Sequence, residues 1–295
     1  MAISSSVALI VNPAAGGGRA ARALPAVQAE LRRLGVAFHT ESTTGLDHAR
    51  GLAGAAAAAG EDVLTLGGDG LAGAVASVLR DGDSALVPLP GGRGNDFCRV
   101  LGVPLQPVAA CTALSRATAR QVDLGEVDGR TFIGIASCGF DSVANRIANA
   151  APAKLGNLVY AYGALRALAT WKPVRFELEL DGRKVTHTGY SVGACNSKAY
   201  GGGMFVAPDA ELDDGMLDVV VKDHVSRTRF LRELPTLFDG THVHNPSVHV
   251  YRAREVRISA ERPFDVYADG DPIAPLPATA RALPGALRVI APATP

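Results

Sequence analysis

The chain has 295 residues, with 47% hydrophobic and 20% charged side chains, and its 29 basic groups balance 29 acidic ones. That length supports one large domain or two modest ones. The zero net charge gives no global field to draw in nucleic acid or an anionic membrane. Cys98, Cys111, Cys138 and Cys195 show no CxxC spacing and read as small buried hydrophobes of a reducing, cytoplasmic setting. Val7–Val11 is too short for the apolar core of a signal peptide. No uninterrupted apolar run reaches the roughly 18–20 residues that a membrane span needs, so any contact with lipid is expected to be peripheral.

In chain order, Val7–Val11 predicts a strand that ends in the turn Asn12-Pro13-Ala14-Ala15-Gly16-Gly17-Gly18. A helix over Arg19–Leu34 stops at Gly35, as helices commonly do at glycine. Val36–Thr40 reads as a strand, Asp47–Ala59 as an Ala-rich helix and Asp62–Leu66 as a strand. Gly67-Gly68-Asp69-Gly70 then turns into a helix over Leu71–Leu79. Ala85–Leu89 leads into Pro90-Gly91-Gly92-Arg93-Gly94-Asn95-Asp96. Short apolar strands alternating with Ala-rich helices predict a mostly parallel sheet covered on both faces.

After Asp123-Leu124-Gly125 the texture becomes strand-rich. Strands are expected over Phe132–Ala136, Arg175–Leu180, Lys184–Cys195, Leu217–Lys222, Val248–Tyr251, Glu255–Ser259, Phe264–Tyr267 and Ala286–Ile290. Asp181-Gly182 marks a hairpin, and helical inserts are expected over Ser142–Trp171 and Ser226–Phe238. The expected organisation is an α/β domain over 1–125 and a β-sandwich-like domain over 126–295. The arginine clusters at 227, 229, 232 and 252, 254, 257 read as solvated faces. His242, His244 and His249 read as surface histidines that no acid or cysteine joins.

Three glycine turns thus follow consecutive strands, at the crevice where open α/β sheets bind ligands. Glycine lets backbone N–H groups approach a phosphate at a helix N-terminus. The carboxylates Asp69 and Asp96 in two of those turns suit a phosphate shared with Mg²⁺. There is no GxxxxGK[ST] motif, the first lysine is Lys154, and the glycine spacing at residues 16–18 misses the dinucleotide fingerprint. What remains is phosphoryl transfer supported by backbone amides, Mg²⁺ and carboxylates.

Asn12-Pro13, the Gly67–Gly70 turn and Gly94-Asn95-Asp96 resemble the diacylglycerol kinase and sphingosine kinase superfamily. So do Gly139-Phe140-Asp141, Ala207-Pro208, Asp213–Asp218 and Tyr267-Ala268-Asp269-Gly270-Asp271, in the right order along the whole chain. The resemblance implies an ATP- and Mg²⁺-dependent lipid kinase working in a cleft between a nucleotide-binding domain and a β-sandwich domain. It implies that Gly67, Gly68, Gly70 and Gly94 line the nucleotide phosphates, with Asn12 and Asn95 bracing the loops; Gly16 and Gly17 of the first turn and Arg93 are further nucleotide-binding candidates read from the residues themselves. Asp69, Asp96 and Asp123 would serve catalytic Mg²⁺, with Asp271 as general base. Glu211, Asp214 and the Met216 carbonyl would hold a second, structural Mg²⁺. A lipid substrate at a membrane surface and a homodimer complete the expectation.

Leu71, Gly73 and Ala74 stand where the family has threonine and an Asn-Glu step, Arg93 replaces threonine, and Asp271 replaces glutamate. Arg93 suits either a bidentate phosphate contact or a structural pair with Asp96. Asp269 competes with Asp271 as the acid that merely serves the turn, and Asp141 reads as a helix cap or a headgroup contact. A NAD-kinase-like small-molecule kinase, which shares Gly-Gly-Asp-Gly, and a non-catalytic lipid- or nucleotide-binding protein are the alternatives.

Overall fold

A computed structural model of the chain describes residues 3–4, 6–150 and 158–292. The N-terminal half runs β1 (Val7–Val11), α1 (Ala15–Arg33), β2 (Phe38–Ser42), α2 (Leu46–Ala58), β3 (Asp62–Gly67), α3 (Asp69–Leu79), β4 (Leu86–Pro90), α4 (Asp96–Val100) and α5 (Pro107–Ala113). Every residue of β1, β3 and β4 is buried, as strands covered on both faces must be. β1 pairs in parallel with β2 and β3, and β3 with β4. Within α1, Gly16, Gly17 and Gly18 take positive φ, so the regular helix starts near Arg19 as the sequence predicts.

The rest comprises β5 (Ala117–Val127), β6 (Arg130–Phe132), β7 (Ile135–Gly139), α6 (Phe140–Asn149), α7 (Leu158–Thr170), β8 (Val174–Leu180) and β9 (Arg183–Cys195). It continues with β10 (Leu217–Asp223), α8 (Arg227–Glu233), β11 (Val248–Ala253), β12 (Glu255–Ala260), β13 (Asp265–Ala268), β14 (Asp271–Pro275) and β15 (Ala278–Pro292). β8 alternates buried and exposed residues along its length, the mark of a sheet with one face on a core. Asp181 and Gly182 both take positive φ between β8 and β9, the backbone of a tight hairpin. Part of the expected Ser142–Trp171 insert falls on residues 151–157, outside the described residues. The remainder forms α6 and α7.

One sheet runs through both halves in the order β14-β13-β7-β9-β8-β12-β15-β4-β3-β1-β2. β15 is the joint: it pairs antiparallel with β5 and β12, and in parallel with β4 through Val289 and Leu86. Leu212 and the stretch from Ala286 to Ala291, expected in the second domain, pack in the core around β1, β3 and β4. The chain's end therefore rejoins the first domain. A second core centres on Trp171, Phe176, Tyr190, Phe140 and Phe230. In it the Phe140 ring meets Trp171, Tyr190 and Phe230 edge-on, at centroid separations of 5.0–5.7 Å.

Gly139 sets this core against α6. Its φ is +94°, and a Cβ there would lie 2.5 Å from the Tyr190 carbonyl oxygen. Both the backbone angle and the contact with fixed main chain exclude a side chain. Gly139→Ala should therefore destabilise the protein by about 2–4 kcal/mol, seen as a lower denaturation midpoint in chemical unfolding. A loss below about 0.5 kcal/mol would show that this turn is not constrained.

Candidate active site

The cleft begins where two glycine turns touch backbone to backbone. Gly91 and Gly92 both donate N–H bonds to the Gly67 carbonyl, at 2.6 and 2.9 Å. A Cβ on Gly92 would stand 2.4 Å from Gly68 Cα, and one on Gly16 2.6 Å from the Gly91 oxygen. Arg19 Nη1 donates to the Gly92 carbonyl at 2.9 Å. Asn95, in the left-handed region, clasps Gly92 through both its amide atoms. Asn12 Oδ1 accepts the Ala14 N–H at 3.1 Å, bracing the first turn. Asn12, Gly16, Gly67, Gly68, Gly94 and Asn95 are thus gathered in or beside one set of packed turns, with Gly17 and Gly70 adjoining them in the chain.

This packing brings the acids together. Asp69 opens α3, and its Oδ1 accepts the Phe97 N–H at 2.9 Å. The position of a Cβ on Gly94 lies 3.0 Å from Asp96 Oδ2, 3.3 Å from Asp69 Oδ2 and 3.4 Å from the Gly202 nitrogen, so a side chain there would crowd both carboxylates. Asp96 Oδ2 accepts the Gly202 N–H at 2.7 Å, whereas its buried Oδ1 has no hydrogen-bond partner among the described residues. Burial raises the Asp96 carboxyl above its ordinary range, and the Asp69 charge adds to the rise. The guanidinium beside Asp96 is that of Arg99, at 3.7 Å. Among the described residues no ion pair joins Asp96 to Arg93, which is exposed and lines the cleft.

The cavity holds about 570 Å³ and is walled by both domains. Asp69, Arg93, Gly94, Asp96 and Phe97 line one part, and Phe140, Ala144, Ala164, Phe230, Leu234 and Leu237 form an apolar part. Asp269 also lines it, at the left-handed corner between β13 and β14. Its two oxygens accept the N–H groups of Ile133 and Gly134, at 2.9 and 3.1 Å. Burial pushes its carboxyl up to about 7, with the Asp69 charge reinforcing the rise and the two N–H groups opposing it. Gly73, where the family pattern has a side chain, leaves space 3.4 Å from Asp269 Oδ2.

The structure places the remaining candidates away from this cavity. Asp271 is exposed and does not line the cavity, because the hairpin turns its first acid inward and its third-position acid outward. Asp123 also stands outside the cavity lining. It is buried, and its oxygens accept the N–H groups of Gly285 and Gly215 at 2.7 and 2.6 Å. It ties β5 to the Asp213–Gly215 turn and to β15. Glu211 is exposed, while Asp214 accepts the Met216 N–H and pairs with Arg252.

Other contributors carry no local sequence signal. Asn196 Nδ2 bridges the carbonyls of Asp123 and Ile133, at 3.0 and 3.1 Å, and so holds the strand that presents N–H groups to Asp269. Lys222, another cavity residue, is matched by Glu233 and Ser247. Asp141, in the first turn of α6, faces the apolar part; burial pushes it up to about 6, opposed by a hydrogen bond from Ser191.

Residues 6–127 match the diacylglycerol kinase catalytic domain family, and residues 134–291 match the YegS C-terminal NAD kinase beta sandwich-like domain. A diacylglycerol kinase of Mycobacterium tuberculosis is 36% identical over 97% of this chain and 95% of its own. The chain belongs to the diacylglycerol kinase family. A Pseudomonas aeruginosa protein named "Probable lipid kinase YegS-like" is 32% identical over 97% of this chain and 94% of its own. The crystal structure of a diacylglycerol kinase from Bacillus anthracis str. Sterne superposes with a TM-score of 0.76 at 21% identity, over 98% of this chain and 97% of that one. That likeness concerns fold: an α/β domain followed by a β-sandwich-like one. Relatives named as kinases make this chain an enzyme of the kinase class.

The raised Asp141 carboxyl makes stability depend on pH. An acid whose folded pKa lies above its unfolded value loses its proton first in the unfolded chain, so stability falls as pH rises between the two values. For Asp141 that window runs from 3.8 to about 6. Asp141→Asn should therefore gain stability over the parent protein between pH 4 and 7, by roughly 1–3 kcal/mol, in urea titrations at both ends. An unchanged difference across that range would contradict the burial of this carboxyl.

Proposed function

We propose that this chain transfers the terminal phosphoryl group of ATP to a primary hydroxyl of a lipid held in the interdomain cleft. One observation supports this reading above the others: the packed glycine turns with Asp69 and Asp96 share a single cavity with an apolar wall and Asp269. An NAD-kinase-like acceptor would put a polyanion against Phe140, Phe230 and Leu237, where burial of charge without partners is costly. The names of the relatives favour diacylglycerol as the acceptor.

In this reading Asn12, Gly16, Gly17, Gly67, Gly68, Gly70, Gly94 and Asn95 shape the phosphate site, and the start of α3 faces it with its positive end. Asp69 and Asp96 fit Mg²⁺: both are hard oxygen donors, and the buried Asp96 Oδ1 accepts no hydrogen bond among the described residues, with only the Arg99 guanidinium nearby at 3.7 Å. Bound there, Mg²⁺ would neutralise charge on the transferring group. Arg93, free of Asp96, adds a bidentate phosphate contact. Asp269, held by two N–H groups, accepts the lipid hydroxyl proton, and a pKa near 7 suits a general base at neutral pH. Asp141 orients the headgroup.

Among the described residues no helix is long and apolar enough to cross a membrane. Tyr162 and Leu165 on α7, Leu231 on α8 and Phe238 are exposed, on elements that also wall the cavity. They form the rim by which the enzyme meets a lipid surface. The direct assay is labelled Mg·ATP offered with diacylglycerol, sphingosine or NAD, followed by a total lipid extract with the product identified by mass. Label in a lipid and not in NAD is the expected result.

Asp269→Asn should cut kcat by roughly 10²–10⁴-fold while ATP affinity stays near that of the parent protein. Asp271→Asn should retain most activity. The reverse pattern would return the base to Asp271.

Arg93→Thr should raise the KM for ATP by about tenfold, the equivalent of one charged contact, with the melting temperature unchanged. A fall in stability with an unaltered KM would assign Arg93 a structural pairing instead.

A further inference from the structure

His249, read from the sequence together with His242 and His244 as surface histidines that no acid joins, is joined by an acid and a different histidine in the folded chain. Asp223, the last residue of β10, sits between two imidazoles. His187 Nδ1 on β9 lies 2.9 Å from Asp223 Oδ1, and His249 Nε2 on β11 lies 2.7 Å from Oδ2. The rings are 4.6 Å apart, and one ligand atom from each of the three residues falls within 4.8 Å of the others. None of the three lines the interdomain cavity.

The backbone builds this juxtaposition. β10 pairs with β9 on one side and β11 on the other, and its register with β9 slips between Lys222 and Asp223, so that Gly189 faces Asp223. A Cβ on Gly189 would lie 2.1 Å from the Lys222 carbonyl oxygen, so the bulge needs glycine there. The Asp223 backbone is pinned by its N–H to the Ser247 carbonyl at 2.8 Å. His187 is nearly buried, and its Nε2 meets the Tyr251 hydroxyl at 2.8 Å. That contact orients the ring and leaves Nδ1 aimed at Asp223, as an outer partner does for a metal-bound histidine.

Two imidazole nitrogens and a carboxylate pointing at one spot are all acceptors unless protons or a metal ion lie between them. We infer that His187, Asp223 and His249 form a binding site for a borderline divalent metal of the Zn²⁺ type, clamping β9, β10 and β11. Imidazole with carboxylate favours Zn²⁺ or its first-row neighbours over Mg²⁺, which prefers all-oxygen sites. Tetrahedral bonds of about 2.0–2.2 Å space ligands roughly 3.3–3.5 Å apart, so the side chains must open slightly. His249, 37% exposed, has the freedom to move and gives the ion a way in. Three protein ligands leave a fourth position for water.

This inference is independent of the kinase reading, and its test reads metal rather than activity. Tag-free protein in Mg²⁺-free buffer is titrated with Zn²⁺ by calorimetry, and with Co²⁺ by visible absorption. The expected result is one equivalent bound, with the intense bands of tetrahedral Co²⁺, and a rise in melting temperature with Zn²⁺. His249→Gln and Asp223→Asn, each checked for folding by circular dichroism, should each weaken binding by tenfold or more. The exposed His249→Gln is expected to fold, so it serves as the deciding variant should Asp223→Asn fail to do so. No stoichiometric binding by the parent protein, or equal affinity in folded His249→Gln, means an adventitious ion only and overturns the site.

Discussion

Everything around the cleft depends on a contact that side chains would forbid: main chain on main chain between Gly67-Gly68 and Gly91-Gly92. The Gly67 carbonyl receives two N–H bonds from the neighbouring turn, and the Gly92 α-carbon lies where no Cβ can fit. β3 and β4 could pair without it, but their carboxyl ends would splay. With it, α3 and α4 start side by side, and Asp69 reaches the Phe97 N–H across the gap. Two carboxylates, one of them buried, are thereby brought into one corner.

The second constraint is the path of β15. A chain of two independent domains would leave the cleft to a hinge, whereas here the last strand pairs with β12 and β5 and then enters the first sheet beside β4. Asp123 reinforces the joint by bonding Gly215 and Gly285. These bonds give it a bracing role in the fold. It fixes β5, and through Asn196 the Ile133-Gly134 backbone, so the N–H groups that hold Asp269 stay in register with the nucleotide side.

What the sequence discloses follows from where the physics is local. Fully buried parallel strands such as Val7–Val11 and alternating ones such as Val174–Leu180 advertise themselves in their own residues, and Asp181-Gly182 marks its hairpin. β5 does not: Thr118, Arg120, Asp123 and Gly125 break any period, and its strand character comes from a long ladder with β15. β14 holds Pro272 and Pro275 and exists as the partner of β13. The glycine turns and their acids are legible because phosphate chemistry needs those residue types in that order. Which acid of Ala268-Asp269-Gly270-Asp271 faces inward is not, since both flank the same glycine. It is decided by the N–H groups of Ile133 and Gly134, far away in the chain. The grouping of His187, Asp223 and His249 is illegible for the same reason, being a product of strand order and one bulge.

The cleft's charges complete the account. No lysine precedes Lys154, so the first domain brings arginine side chains, helix ends and main-chain N–H groups to its ligand. Of the cavity's cations, Lys222 is matched by Glu233, while Arg93 has no acid of its own among the described residues. Asp69, Asp96 and Asp269 therefore face one another with little positive charge between them, and burial raises two of the three carboxyls. Holding them so costs folding free energy. A cation bound among them would offset that cost by adding positive charge where the acids meet. On the proposed reading the order of charge follows: the acids alone would repel a polyanionic phosphate, and a cation held among them would let it bind in the corner that the glycine contact creates.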